Sequence, residues 1–161
     1  MNILFVCTGN TCRSPMAEGI FKNMLKENNI EGINVSSAGI SVFPGETANE
    51  KSISALKEMG IDIRDHRARQ LTDEIMNTDL ILTMTLNHKR IIEDYYKHRK
   101  EKLPKIYTLK EFAAKISGEK PLKLDIDDPY GRSHHVYKKT RDEIIEDLKK
   151  ILKNIDKLEE I

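Results

Sequence analysis

The 161-residue chain has no tryptophan, two cysteines, five prolines and a 6% share of aromatic residues. It also lacks an excess of either charge: 27 Lys and Arg stand against 26 Asp and Glu, for a net charge of +1. That balance leaves no broad basic footprint and argues against nucleic-acid binding by bulk charge. No stretch approaches the roughly 18 apolar residues of a membrane span, so no membrane partner is expected. The opening run, Met1 to Cys7, is apolar but too short for a signal peptide, and no cationic segment precedes it. Two cysteines are too few for a secreted disulfide framework and lack the partners of a closed zinc site. The chain therefore reads as cytoplasmic. The missing tryptophan carries no functional reading.

What is present is charge of both signs, 33% of residues against ~25% in an average soluble protein, spread as a solvated surface. The length suits one compact domain over residues 1–161, with a central sheet and covering helices. Asn2–Val6 is a short apolar run of the buried-strand type. Thr8 to Thr11 form a turn, Ser14-Pro15 supply a helix cap and first-turn proline, and a helix is predicted from about Met16 to Glu27. Further strands are predicted over Asn34–Ala38, Asp79–Met84 and Lys105–Leu109, and helices over Ala48–Met59, His88–Tyr96 and Val136–Glu159. Residues 117–131 read as mostly irregular. Strand alternating with helix predicts an open parallel α/β sheet of about four strands with helices on both faces. Ligands of such sheets bind at the carboxyl ends of strands, and the first such crossing is Cys7–Ser14.

Cys7-Thr8-Gly9-Asn10-Thr11-Cys12-Arg13-Ser14 starts at a strand end and finishes at a helix N-terminus, with five residues between Cys7 and Arg13. A loop of that size can turn its backbone N–H groups onto one anion, with the helix dipole adding positive potential. Gly9 is expected to supply a backbone conformation that a Cβ would resist. Arg13 presents a planar two-donor fork for phosphate oxygens. Cys7 at the bottom of such a bowl is favoured as thiolate and nucleophile. The competing reading is a buried core cysteine beside an incidental arginine. The agreement of Cys, Gly, Arg, Ser-Pro and strand–loop–helix context weighs against it. No Gly-Lys-Ser/Thr follows, which excludes a Walker-type nucleotide loop.

Val6 to Glu18, VCTGNTCRSPMAE, resembles the signature of the low-molecular-weight protein phosphatases, and Asp128-Pro129-Tyr130 resembles their second motif. The resemblance extends through Ser37-Ala38, His66 to Leu71 and the last helix. It implies hydrolysis of phosphorylated protein substrates through a cysteinyl-phosphate intermediate. Cys7 would attack phosphorus, Arg13 with the loop amides of Thr8, Gly9, Asn10, Thr11 and Cys12 would bind phosphate, and Asp128 would be the general acid and base. No metal or cofactor is required, because arginine and amides neutralise the charge. Asp125 and Asp127 are the competing carboxylates; Asp128 is preferred because proline follows it. Ser14 would cap the helix and hydrogen-bond the Cys7 sulfur, while Asn10, Ser37 and His66 would brace the loop. For His66, a surface or core histidine remains the alternative. His88, His98, His134 and His135 read as surface residues. Cys12 is either a partner that protects Cys7 by disulfide formation or simply a small buried side chain.

The same resemblance bears on substrate. Thr11 stands where the family's tyrosine phosphatases carry a bulky aliphatic residue, and threonine there is similar to bacterial protein-arginine phosphatases. Tyr130 is followed by Gly131 rather than a second aromatic, which weakens ring stacking on phosphotyrosine. Phosphoarginine on proteins is the expected substrate and phosphotyrosine the alternative. Arsenate reduction would need cysteines after Cys12, and there are none. A non-catalytic phosphate-binding or redox-sensing module would have no use for Asp128.

Overall fold

A computed structural model describes the backbone of residues 1–161 and the side chains of all but Met76. Four parallel strands form one sheet: β1 (Asn2–Cys7), β2 (Asn34–Gly39), β3 (Leu80–Thr83) and β4 (Lys105–Thr108), in the order β2-β1-β3-β4. Five α-helices cover it: α1 (Arg13–Glu27), α2 (Glu50–Lys57), α3 (Leu86–Tyr96), α4 (Leu109–Ser117) and α5 (His134–Lys153). Short 3₁₀ segments lie at Asp73–Asn77 and Ile155–Glu160.

β1 is apolar throughout because it is central and covered on both faces. Ile3, Phe5 and Cys7 point to one face, into a core with Ile20 and Phe21 of α1, Phe112 of α4, and Ile144 and Leu148 of α5. Leu4 and Val6 point to the other face, packing with Ile81, Ile92 and Tyr96. Each such fully buried side chain contributes about 1.5–3 kcal/mol. The chain leaves β1 towards β2, then returns across β1 to β3, so the direction of winding reverses at the carboxyl end of β1. Such a reversal opens a crevice between the loops that diverge there. The loop after Cys7 sits in it.

The architecture is the open parallel sheet with helices on both faces that the alternation predicts. Several local details differ. The first helix begins at Arg13 rather than Met16, and Cys12, not Ser14, is its N-cap residue, without a side-chain cap bond. Ser14 lies inside the first turn with its hydroxyl committed elsewhere, and Pro15 occupies that turn, where a missing N–H costs little. The second helix is shorter than expected, Glu50–Lys57, because Asn49 caps it by accepting from the Lys51 amide. α4 was not foreseen: the chain turns from strand to helix at Thr108, whose capping box with Glu111 starts the helix, and Gly118 ends it in the left-handed conformation. The last helix stops at Lys153 rather than continuing to Glu159, and tightens into the 3₁₀ segment.

His88 corrects the expectation of a surface histidine. It sits in the first turn of α3, only 5% exposed, while His98 and His135 are exposed and His134 is half-buried. Burial, and then the Arg13 guanidinium, push its pKa down to about 4, against a smaller opposite pull from Asp125 and Asp128. The folded protein thus holds a neutral imidazole that the unfolded chain would protonate below about 6.5. In that window the unfolded state binds more protons, so stability rises with pH between about 4 and 6.5 and falls on acidification. Urea unfolding at about pH 4.5 and pH 7 should show His88→Gln losing less stability on acidification than the native chain, by on the order of 2 kcal/mol. Equal losses in the two proteins would contradict a buried neutral His88.

Candidate active site

Cys7 ends β1 with its side chain 3% exposed, and its Sγ lies 2.9 Å from Ser14 Oγ. The Asn10 side-chain amide donates both hydrogens, to Ser14 Oγ at 2.8 Å and to Ser37 Oγ at 2.9 Å. Ser14 Oγ accepts there and keeps its own hydrogen available for the sulfur.

Asn10 is fully buried and holds a left-handed backbone, φ 56°. Asparagine tolerates that region because its short polar side chain can bond locally. Its Oδ1 accepts from the Arg69 amide at 3.1 Å, and its carbonyl accepts from His66 Nε2 at 2.7 Å. Three more carbonyls of the loop are also held from outside. Ile40 N donates to Cys7 O, Ser41 N to Thr8 O and Asn49 N to Thr11 O, at 2.8–3.1 Å. Among the described residues, the amides from Thr8 to Cys12 have no such partner. A loop with the carbonyls of Cys7, Thr8, Asn10 and Thr11 tied outward and its amides unpaired is a cradle for an anion.

The glycine this loop depends on is not the expected one. Gly9 has no positive φ, and a Cβ there would meet only Thr11 Oγ1 at 3.8 Å. Gly39, at the end of β2, backs the loop: a Cβ on it would lie 2.6 Å from the Thr8 carbonyl and 3.0 Å from the Asn10 amide nitrogen. Close approach of backbone to backbone, not backbone freedom, is what glycine supplies here.

Arg13 is 3% exposed. Its Nη1 donates to the Ile126 carbonyl at 2.7 Å, and its Nη2 lies 3.7 Å from Asp128 Oδ2. Its Nε is buried without a partner, which leaves the Nε–Nη2 edge as a two-donor fork for an anion. Ile126 clips the acidic segment in place: its side chain is fully buried and its amide donates to Met84 O at 2.8 Å. The three carboxylates of that segment then separate by position. Asp125 accepts from the Leu86 amide at the start of α3, and Asp127 points to solvent with a side chain 90% exposed. Only Asp128 stands beside Arg13, with Oδ1 accepting from the Tyr130 amide.

These groups line a cleft of about 640 Å³ that includes Cys7, Thr8, Thr11, Arg13, Asp128 and Tyr130. Tyr130 and Phe43, the latter singled out by no motif, are both largely exposed in its lining. Cys12 is buried and free, as is Cys7. Burial raises the Cys12 pKa, against bonds from Tyr137 and Thr11 that lower it. The Tyr137 hydroxyl, 3.3 Å from Cys12 Sγ, and His88, 2.9 Å from Thr8 Oγ1, are contacts that sequence reasoning missed. Ile126, Gly39 and Asn49 are further supports without a sequence signal of their own.

The family model of the low molecular weight phosphotyrosine protein phosphatases matches residues 2–160. A protein-arginine-phosphatase of Bacillus subtilis is 40% identical over 158 residues, covering 98% of each chain. The low molecular weight protein-tyrosine-phosphatase PtpB of Staphylococcus haemolyticus is 35% identical, over 90% of this chain and 93% of its own. A solved low molecular weight protein tyrosine phosphatase from T. tengcongensis superposes with a TM-score of 0.83 at 42% identity, covering 95% of this chain and 98% of its own. With the cradle, the cysteine beneath it and the Asp128–Arg13 pair in one cleft, the chain belongs to the low molecular weight phosphotyrosine protein phosphatase family.

Proposed function

We propose that the protein hydrolyses phosphoarginine on protein substrates through a cysteinyl-phosphate intermediate. Cys7 Sγ attacks phosphorus as thiolate; a P–S bond forms and the P–N bond to the guanidine breaks. Asp128, entering as the carboxylic acid, gives its proton to the departing nitrogen. The Arg13 fork and the loop amides neutralise the equatorial oxygens as charge spreads over them. In the second half, the Asp128 carboxylate takes a proton from water, whose oxygen attacks phosphorus. The P–S bond breaks and the pair returns to sulfur, where the Ser14 hydroxyl steadies the thiolate. The side chains of Asn10, Ser37 and His66 hold the cradle. The two free thiols suit a reducing, cytoplasmic setting.

The substrate reading is carried by Thr11. Its side chain lines the cleft, and its hydroxyl has only a weak internal contact, to Cys12 Sγ at 3.8 Å. A hydroxyl there suits a polar guanidinium or the attacking water, where a bulky aliphatic would press on an aromatic ring. The Bacillus subtilis relative, named a protein-arginine-phosphatase, supports the same choice. Phosphotyrosine is the second reading, and Phe43 favours it. Together with Tyr130 in the same lining, Phe43 supplies the second aromatic that Gly131 does not.

Thr11→Ile should lower kcat/KM on a phosphoarginine protein by about tenfold or more while sparing or raising that on a phosphotyrosine peptide, since one misplaced contact is worth roughly 1–3 kcal/mol. Native preference for phosphotyrosine, unmoved by Thr11→Ile, would overturn the arginine reading. Asp128→Asn should cost about 10²–10⁴-fold in kcat on both substrates. Cys7→Ser should abolish turnover yet keep binding of inorganic phosphate. Turnover surviving in Cys7→Ser would end the proposed mechanism altogether.

A further inference from the structure

Thr8 is the residue directly after Cys7 and lines the cleft, yet its hydroxyl is bonded to a side chain 80 residues away, His88 Nε2 at 2.9 Å. His88 is itself fixed: it is 5% exposed, and its amide donates to Thr85 Oγ1 at 3.1 Å in the cap of α3. Its other ring nitrogen, Nδ1, is buried with no hydrogen-bond partner. A neutral imidazole carries one N–H and one bare nitrogen. With the hydrogen on Nδ1, a buried donor would be orphaned, which proteins rarely tolerate. With the hydrogen on Nε2, only an acceptor is left unpaired, the cheaper arrangement. Nε2–H therefore donates to Thr8 Oγ1.

That direction has a consequence for Thr8. Its oxygen is engaged as acceptor, so its hydrogen must turn to another acceptor. No second protein partner of this hydroxyl is found among the described residues, and Thr8 is an exposed residue of the cleft lining. We propose that His88 is a positioning residue that orients the Thr8 hydroxyl as a hydrogen-bond donor to the phosphoryl oxygens of the substrate. The proposal rests on the phosphatase reading and adds a side-chain donor to the amides and Arg13. An oriented O–H recognises oxygen, not a leaving group. Its effect is thus common to aryl phosphates and phosphoarginine, unlike that of Thr11. The groups facing His88 are Arg13 from the loop and α1, and Asp125 and Asp128 from the acidic segment. Arg13 and burial disfavour an imidazolium, which keeps the ring neutral and the tautomer argument in force.

The test is steady-state turnover of p-nitrophenyl phosphate by Thr8→Val, Thr8→Ser, His88→Leu, His88→Gln and the Thr8→Val/His88→Leu pair. Thr8→Val and His88→Leu should each lower kcat/KM by about tenfold, and the double variant should fall no further than either single one, because they break one chain of donors. Thr8→Ser keeps the hydroxyl, and the Gln amide can donate where Nε2–H does. Both should stay within about threefold of the native enzyme, a rescue that a purely structural role for His88 would not predict. Unchanged turnover in Thr8→Val, which sits at the surface and does not threaten the core, would overturn the proposal. So would losses that multiply to about a hundredfold in the double variant. The ¹⁵N shifts of His88 should report a proton on Nε2 and none on Nδ1 at neutral pH, and the opposite tautomer would also refute it. A native protein inactive on every phosphorylated probe would instead sink the phosphatase reading. In that case the tautomer and the affinity of Thr8→Val for inorganic phosphate still decide the role of His88.

Discussion

A loop that aims its amides inward must have its carbonyl oxygens satisfied from outside, and in this protein that constraint converges on Asn10. Four hydrogen bonds meet at its side chain and carbonyl, from or to Ser14, Ser37, His66 and Arg69. Each buried polar atom left unpaired there would cost about 1–3 kcal/mol, so the set is held as a unit. The left-handed backbone at Asn10 is the local cost of reversing the chain under the cradle, and these bonds offset it. The same residue donates to Ser14 Oγ, which lies against Cys7 Sγ. Loop shape and sulfur chemistry thus share one support.

The second constraint is how the acidic segment reaches the cradle. It arrives from the far end of the chain, and Ile126 fixes it by backbone bonds in two directions, to Met84 at the end of β3 and to Arg13 of the loop. Arg13 spends one nitrogen on this tie and keeps the Nε–Nη2 edge for an anion. Asp128 is consequently placed by the same guanidinium that would bind phosphate, which couples the proposed acid to the proposed binding site. Lys123 adds a tether from outside through Glu143 of α5.

Part of this was legible along the chain. The alternating elements, the run from Cys7 to Ser14 and the Asp128-Pro129 pair are contiguous signals, and each lies where the folded chain uses it. The separation of Asp128 from Asp127 could be argued from the following proline, because proline restricts its neighbour locally. The start of α4 was written in the sequence too, as a Thr108–Glu111 capping box, but it followed the strand so closely that no turn signal marked the boundary.

The sequence by itself therefore determined the sheet type, its four strands, the family and the phosphate loop, since periodicity and short motifs act through near neighbours. Beyond Asn10, Ser14, Ser37 and His66, which the motifs already pointed to, tertiary structure alone decided which residues support that loop. His88 meets Thr8 across 80 positions, Ile126 meets Arg13 across 113, and Tyr137 meets Cys12 across 125. Gly39, not Gly9, proved to be the glycine the loop needs, because the steric demand comes from β2 passing beneath it. Contacts of this kind are set by how helices pack on a twisted sheet, and no spacing between the two residues encodes them.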